Sequence, residues 1–140
     1  MRQQDHETNW KHLGEKNQLL FMAECMKRGW KVNMPYGEDC RYDVVVDTPK
    51  GLRRIQIKSC HKADCRGRYR VNLHHGRKVK HSYTLEECDL IAAYVTPLNH
   101  WFIVPVDRLA TQHLDLALHH HDCLEAWHFI HEDKRRKTVS

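Results

Sequence analysis

Leu52-Arg53-Arg54-Ile55-Gln56-Ile57-Lys58-Ser59 is the stretch that decides how this 140-residue chain folds. Ile55 and Ile57 alternate with Gln56 and Lys58, the two-residue period of a half-buried strand. The isoleucines therefore take one face, and Gln56 and Lys58 the other. Just upstream, Thr48-Pro49-Lys50-Gly51 reads as a turn. The β-branched run in Arg41-Tyr42-Asp43-Val44-Val45-Val46-Asp47 then reads as the partner strand of a hairpin. In that strand Asp43 and Val45 share a face, and Asp43 stands thirteen positions before Gln56. In a register that aligns the strands, Asp43, Gln56 and Lys58 converge on one side of the hairpin.

The hairpin opens a strongly basic region. Ten of the chain's 23 Lys and Arg residues lie between Arg53 and Lys80 with a single acid, Asp64, among them, while the remainder of the chain has more acids than bases. Charge concentrated in this way points to a localised anionic partner rather than to general solubility. Lys62, Arg66, Arg68, Arg70, Arg77, Lys78 and Lys80 are the candidate phosphate contacts, which supply affinity and salt dependence rather than sequence reading.

An acid on one strand and a polar-x-Lys triplet on the next, inside a basic region, are the parts needed to hydrolyse a phosphodiester. A metal on Asp43 would polarise a phosphoryl oxygen and supply an activated water. Lys58, a compact cation, would orient that water and offset developing negative charge. Ser59 is a candidate donor to a phosphate, with a hydroxyl satisfied by backbone as the equal alternative.

Working outward, residues 7–27 read as a helix ending in a basic turn and Gly29. Leu19, Met22, Ala23, Met26 and Trp30 follow one apolar face, and extending it back by four reaches Glu15. A carboxylate on a core-facing side is costly unless paired, hydrogen-bonded or metal-bound, so Glu15 joins the candidates, with an edge-of-face position left open. Lys31–Met34 reads as a strand, and Arg68–Leu73 as a short strand or an outward basic arm. Leu90–Val95 and Trp101–Val104 are buried strands. Asp107–His113 reads as a short helix and Cys123–Glu132 as a C-terminal one, with Leu124, Trp127 and Phe129 for packing. Tyr42 falls on the Val44 face, Tyr36 is a weaker candidate for nucleic-acid contact, and Asp89 reads as a structural cap or pair. The order predicts an α/β fold: a mixed sheet of about five strands with an N-terminal and a C-terminal helix packed on it. Residues 1–133 form one domain, and 134–140 a basic flexible tail.

No apolar run approaches the roughly 20 residues that span a bilayer. Met1–Glu7 lacks the apolar core of a secretory signal, so the expected location is cytoplasmic or nucleoid-associated. Six cysteines stand mostly alone, and only Cys60 and Cys65 are close, with His61 between them. Reduced thiols are expected, with a zinc-stabilised binding protein as the weaker alternative.

Gly14-Glu15, Pro35-Tyr36-Gly37, Arg41-Tyr42-Asp43 and Ile55-Gln56-Ile57-Lys58-Ser59, in this order, resemble the PD-(D/E)XK nuclease superfamily. Among its members the pattern is most similar to small Gln-x-Lys endonucleases, including the group I intron-encoded homing type. The resemblance runs from about Gly14 to Pro105 and implies a restriction-endonuclease-like core. It implies Asp43 as the metal-binding Asp, Lys58 as the active-site Lys and Glu15 as the helix acid, with Gln56 where most members have Asp or Glu. The implied cofactor is Mg2+, with Mn2+ as substitute and no small-molecule cofactor. Its ligands would be Asp43, Glu15 and the Ile57 backbone carbonyl, one metal ion rather than two. The implied function is a metal-dependent endonuclease on double-stranded DNA, of homing or mobile-element type, working as a homodimer or homotetramer. A Holliday-junction resolvase or a repair or restriction nuclease is the alternative within the fold. A non-catalytic nucleic-acid-binding module, with Gln56 marking a decayed site, is the alternative from another class.

Overall fold

A computed structural model of the chain describes residues 9–37, 39–72, 84–109, 113–115 and 121–132. Helix α1 (Trp10–Lys27) opens at Asn9, whose side chain accepts a hydrogen bond from the His12 backbone N–H at 3.1 Å. It closes at Arg28 and Gly29, whose φ of 82° is a left-handed stop that glycine adopts without strain. Strands β1 (Lys31–Asn33), β2 (Val44–Thr48), β3 (Gly51–Cys60), β5 (Leu90–Val95) and β6 (His100–Pro105) form a mixed sheet in the order β1-β2-β3-β5-β6. Only β3 and β5 run parallel. Strands β4 (Arg70–Asn72) and β7 (His113–Asp115) pair separately as an antiparallel ribbon. No described helix is long and apolar enough to cross a membrane.

The expected hairpin is present, with Val44 opposite Ile55 and Thr48 opposite Gly51. Its alternation divides two cores. On one face α1 presents Phe21 and Cys25 to Val44, Val46, Ile55, Leu90, Ala92, Trp101 and Ile103. Phe21 packs against both Trp101 and Trp127, with ring centroids 5.4 and 5.7 Å away. On the other face Cys60, Ile91, Ala93, Val95, Phe102 and Val104 pack with Val71, Cys88, Val106 and Cys123.

Several expectations are corrected. The face that α1 buries is Asn17, Phe21 and Cys25, while Leu19 and Met26 are each 65% exposed. Glu15 is exposed, so it does not face the core. Tyr42 precedes the start of β2 and packs against the cluster opposite Val44. In place of a helix over Asp107–His113 there is a 3-10 turn, Val106–Arg108, and His113 belongs to β7. The C-terminal segment is two 3-10 turns, His121–Cys123 and Trp127–Ile130, rather than one helix. Glu125 between them has a φ of 49°, which no continuing helix allows. Its carboxylate accepts from the Trp101 N–H at 2.9 Å and from Trp127 Nε1 at 2.6 Å, fixing the segment on the sheet. Trp127 is buried as expected, Phe129 half-buried, and Leu124 exposed. The tail over 134–140 lies outside the described residues.

Candidate active site

β3 is ten residues long and β2 only five, so β2 pairs Gly51–Ile55 and leaves the second half of β3 without a neighbour on that side. A cleft of about 570 Å³ opens where the two strands part. Gln56, Ile57, Lys58 and Ser59 line it from β3, and Tyr42 and Asp43 from the approach to β2. Gly14, Glu15, Asn17 and Gln18 line it from α1, and Met34, Pro35 and Gly37 from the loop after β1. The structure thus brings together Asp43, Gln56 and Lys58, which were expected to converge, and Glu15, the candidate from the helix. Glu15 reaches the cleft from the exposed side of the helix rather than from its buried face.

Asp43 holds the parting point open. Its backbone N–H donates to the Ile55 carbonyl at 2.8 Å, and its carboxylate Oδ2 accepts the Ile57 N–H at 2.8 Å. A side-chain oxygen therefore satisfies a β3 donor that β2 no longer meets. The Asp43 carbonyl in turn accepts from Gln18 Nε2 at 3.3 Å, which ties α1 to the site. Nothing in the sequence singled out Gln18; a polar residue beside the buried stripe was its only signal. Burial pushes the Asp43 carboxyl above its usual value, against the Ile57 N–H and the Lys58 charge, which pull it down. Burial likewise holds the Lys58 ammonium below its ordinary value, against the Asp43 charge.

The other candidates divide. Ser59 is satisfied by a side chain rather than backbone: its Oγ lies 3.2 Å from His61 Nε2, and His61 Nδ1 lies 3.1 Å from Thr96 Oγ1. Lys62, Arg66 and Arg70 are exposed. Arg68 is paired with Asp64, whose Oδ2 is 2.9 Å from Arg68 Nε. Asp64 Oδ1 also accepts the Arg66 and Arg68 N–H groups, so the one acid of the basic window folds a tight turn at Gly67. Arg77, Lys78 and Lys80 lie outside the described residues. Two cations at the start of the window are structural. Arg53 is 3% exposed and donates to the Glu132 carbonyl at 2.6 Å. Arg54 pairs with Asp89, as the structural reading of that acid anticipated.

Among the described residues no three His, Cys, Asp or Glu side chains gather as a metal-ligand set. The cleft instead offers oxygen donors: two carboxylates, from Asp43 and Glu15, the Gln56 amide and the backbone of Ile57. Hard oxygens with one or two carboxylates suit Mg2+ or Mn2+, which retain several waters, so the residues present fit such an ion.

The family model for PD-(D/E)XK endonuclease matches residues 8–126. The chain belongs to the PD-(D/E)XK endonuclease family. This PD-(D/E)XK endonuclease is similar to the solved structure of I-Ssp6803I, a bacterial homing endonuclease. The two are 28% identical with a TM-score of 0.77, over 87% of this chain and 93% of that one. It shares its fold with Hjc, a Holliday junction resolvase from Archaeoglobus fulgidus, at 15% identity and a TM-score of 0.53, over 74% of this chain and 84% of that one. None of the curated proteins matches it significantly. Family membership makes the chain a nuclease of the PD-(D/E)XK type, the fold and family that its motifs resemble.

Proposed function

We propose that this nuclease is a Mg2+-dependent endodeoxyribonuclease that cuts double-stranded DNA, with a homing role like that of the bacterial enzyme it is similar to. The single observation behind this reading is the convergence of Asp43 and Lys58 in one cleft, beside the half of β3 that β2 leaves unpaired on its side. Asp43, Glu15 and the Ile57 carbonyl would hold the cation, with Gln56 a neutral oxygen beside them. When bound, the cation polarises a phosphoryl oxygen and makes a water acidic enough to attack. Lys58 holds its proton toward the phosphate, orients the attacking water and offsets the charge that builds on the oxygens. Asp43 fixes the backbone of Ile57 through its Oδ2, so the carbonyl and the lysine that follow are placed by one hydrogen bond. Lys62, Arg66 and Arg70, with Arg77, Lys78 and Lys80 further along, would contact phosphates flanking the cut. Arg68 contributes less, since Asp64 already engages it. A cut through both strands needs two such sites, hence a homodimer or a homotetramer.

The test is cleavage of a supercoiled plasmid library carrying randomised inserts, read by gel and by sequencing the ends, with Mg2+, with Mn2+ and with EDTA. Cutting is expected with either metal and not with EDTA, and Lys58→Ala should slow it by about a thousandfold or more. Cutting in EDTA, or an unimpaired Lys58→Ala, would sink the mechanism. A four-way junction added as a second substrate separates the readings: faster cutting of the junction than of any duplex would favour a resolvase.

A further inference from the structure

The buried stripe of α1 begins with a polar residue. Phe21 and Cys25 meet apolar side chains of the sheet, but Asn17, one turn earlier and 4% exposed, carries an amide. Its Nδ2 is the one buried side-chain nitrogen or oxygen among the described residues without a hydrogen-bond partner. A buried donor left unmet costs about 1–3 kcal/mol. Leucine at this position would remove that cost and continue the apolar stripe. A penalty so easily avoided calls for an explanation in something that binds.

The position supplies one. Asn17 lines the cleft that also holds Asp43, Gln56 and Lys58, and its neighbour Gln18 is bonded to the Asp43 carbonyl at 3.3 Å. This turn of α1 is therefore fixed relative to the candidate reacting centre. The missing partner must be an acceptor, and the substrate that the cleft is proposed to take carries acceptor oxygens on its phosphate. A neutral amide can donate there without adding a second positive charge beside Lys58, whose ammonium burial already disfavours.

We propose that Asn17 is a further catalytic residue of this nuclease, donating through Nδ2 to a non-bridging oxygen of the scissile phosphodiester. The assignment rests on the function proposed above. A fixed donor gains strength as negative charge builds on that oxygen, so its contribution falls on the rate more than on DNA affinity. No covalent bond to Asn17 is formed or broken.

The experiment uses the full chain and a duplex that the parent cuts, taken from the randomised library. Single-turnover cleavage, with enzyme titrated to saturation, separates apparent Kd from maximal rate, and urea unfolding in EDTA reports stability. Asn17→Leu is expected to cut about 10- to 100-fold more slowly, with Kd within about threefold of the parent. Its urea midpoint should be no lower than the parent's, because no bond is lost. Asn17→Ala serves the same comparison if leucine does not fit. Asn17→Asp keeps the shape and the acceptor but loses the donor, and should be slower still. A parent-like rate in Asn17→Leu or Asn17→Ala overturns the proposal, as does a rate loss matched by a fall in stability. A parent-like rate in Asn17→Asp shows that the donor is dispensable and overturns it too. A parent that cuts no DNA removes the nuclease function proposed above, and this assignment with it. A parent that cuts beside unimpaired variants removes this assignment alone.

Discussion

Replacing Asp43 and Lys58 together by neutral residues of similar shape, Asp43→Asn with Lys58→Met, should abolish cleavage and leave the fold at least as stable as before. Both groups have pKa values moved toward their neutral forms even with the opposite charge nearby, so for each of them burial outweighs the attraction between them. In free-energy terms the charged pair costs folding stability. Asparagine still accepts the Ile57 N–H that Asp43 Oδ2 takes at 2.8 Å, and methionine keeps the lysine stem in place. Neutralising a buried pair is typically worth 0 to 4 kcal/mol; both side chains are half-buried, so solvent screening puts this one near the low end, about 1 kcal/mol. For a chain of this size that is roughly 3 °C in Tm. Each single variant removes the attraction between the two groups while the other charge stays half-buried, and should be less stable than the double variant. Asp43's raised pKa means that its contribution to stability is present below the usual carboxylate pKa and lost as pH rises through its folded value. Lys58's lowered pKa means that its contribution is present above the usual lysine pKa and lost as pH falls through its folded value. At neutral pH both costs apply, so the advantage of the double variant should be largest there and shrink as Asp43 takes up its proton on acidification. Urea unfolding of the four proteins in EDTA, at neutral pH and in the carboxylate range, measures all of this. A double variant less stable than the parent by more than about 1 kcal/mol at neutral pH would show that the two charges hold the fold together, and would refute the reasoning.

Two further predictions concern other parts of the molecule. Phe21→Ala should cost about 3–5 kcal/mol in unfolding experiments, because Phe21 is fully buried against two tryptophans, whereas Leu19→Gln and Met26→Gln should stay within about 0.5 kcal/mol. Equal losses at all three positions would restore the face that helical spacing suggested. In DNA binding measured across salt concentrations, Lys62→Ala, Arg66→Ala and Arg70→Ala should each reduce the slope of log affinity on log salt by about 0.9 per phosphate contact removed. Arg53→Ala should leave that slope alone and lower stability, since its guanidinium serves the Glu132 and Lys50 carbonyls.

The hairpin was legible because one face of each strand meets a core, and alternation then fixes the other face: Ile55 inward forces Gln56 and Lys58 toward the site. The helix was not legible in the same way. Leu19, Leu20, Met22, Ala23 and Met26 put apolar residues nearly all round α1, so spacing alone favours a stripe richer in hydrophobes than Asn17, Phe21 and Cys25. What selects the true face is the partner surface, where the Phe21 ring packs against both Trp101 and Trp127. Asn17 counts against that face on hydropathy, yet it lines the cleft. The C-terminal segment misled for a backbone reason, because a left-handed Glu125 leaves no mark in a pattern of apolar spacing. A count of charges along the basic window does not show which are free for a ligand: Arg53, Arg54 and Arg68 are spent on carbonyls and carboxylates of the fold itself.

Gln56 gains a physical meaning from the register. Val44 faces Ile55, so position 56 is the next one along from the pair, beside Asp43 where the strands part. A carboxylate there would set a like charge against an Asp whose carboxyl burial already raises, with Glu15 a third acid in the same cleft. A neutral amide keeps an oxygen at the position without that repulsion, so the cation-free protein folds at lower cost. On the proposed function, the same choice weakens the cleft's hold on a divalent cation until another anionic oxygen arrives. The scissile phosphate is that oxygen, which makes cation and DNA affinities mutually dependent: each must strengthen the other by the same factor. Asn17 belongs to the same logic, a buried donor with no partner among the described residues, placed to be met when the phosphate enters.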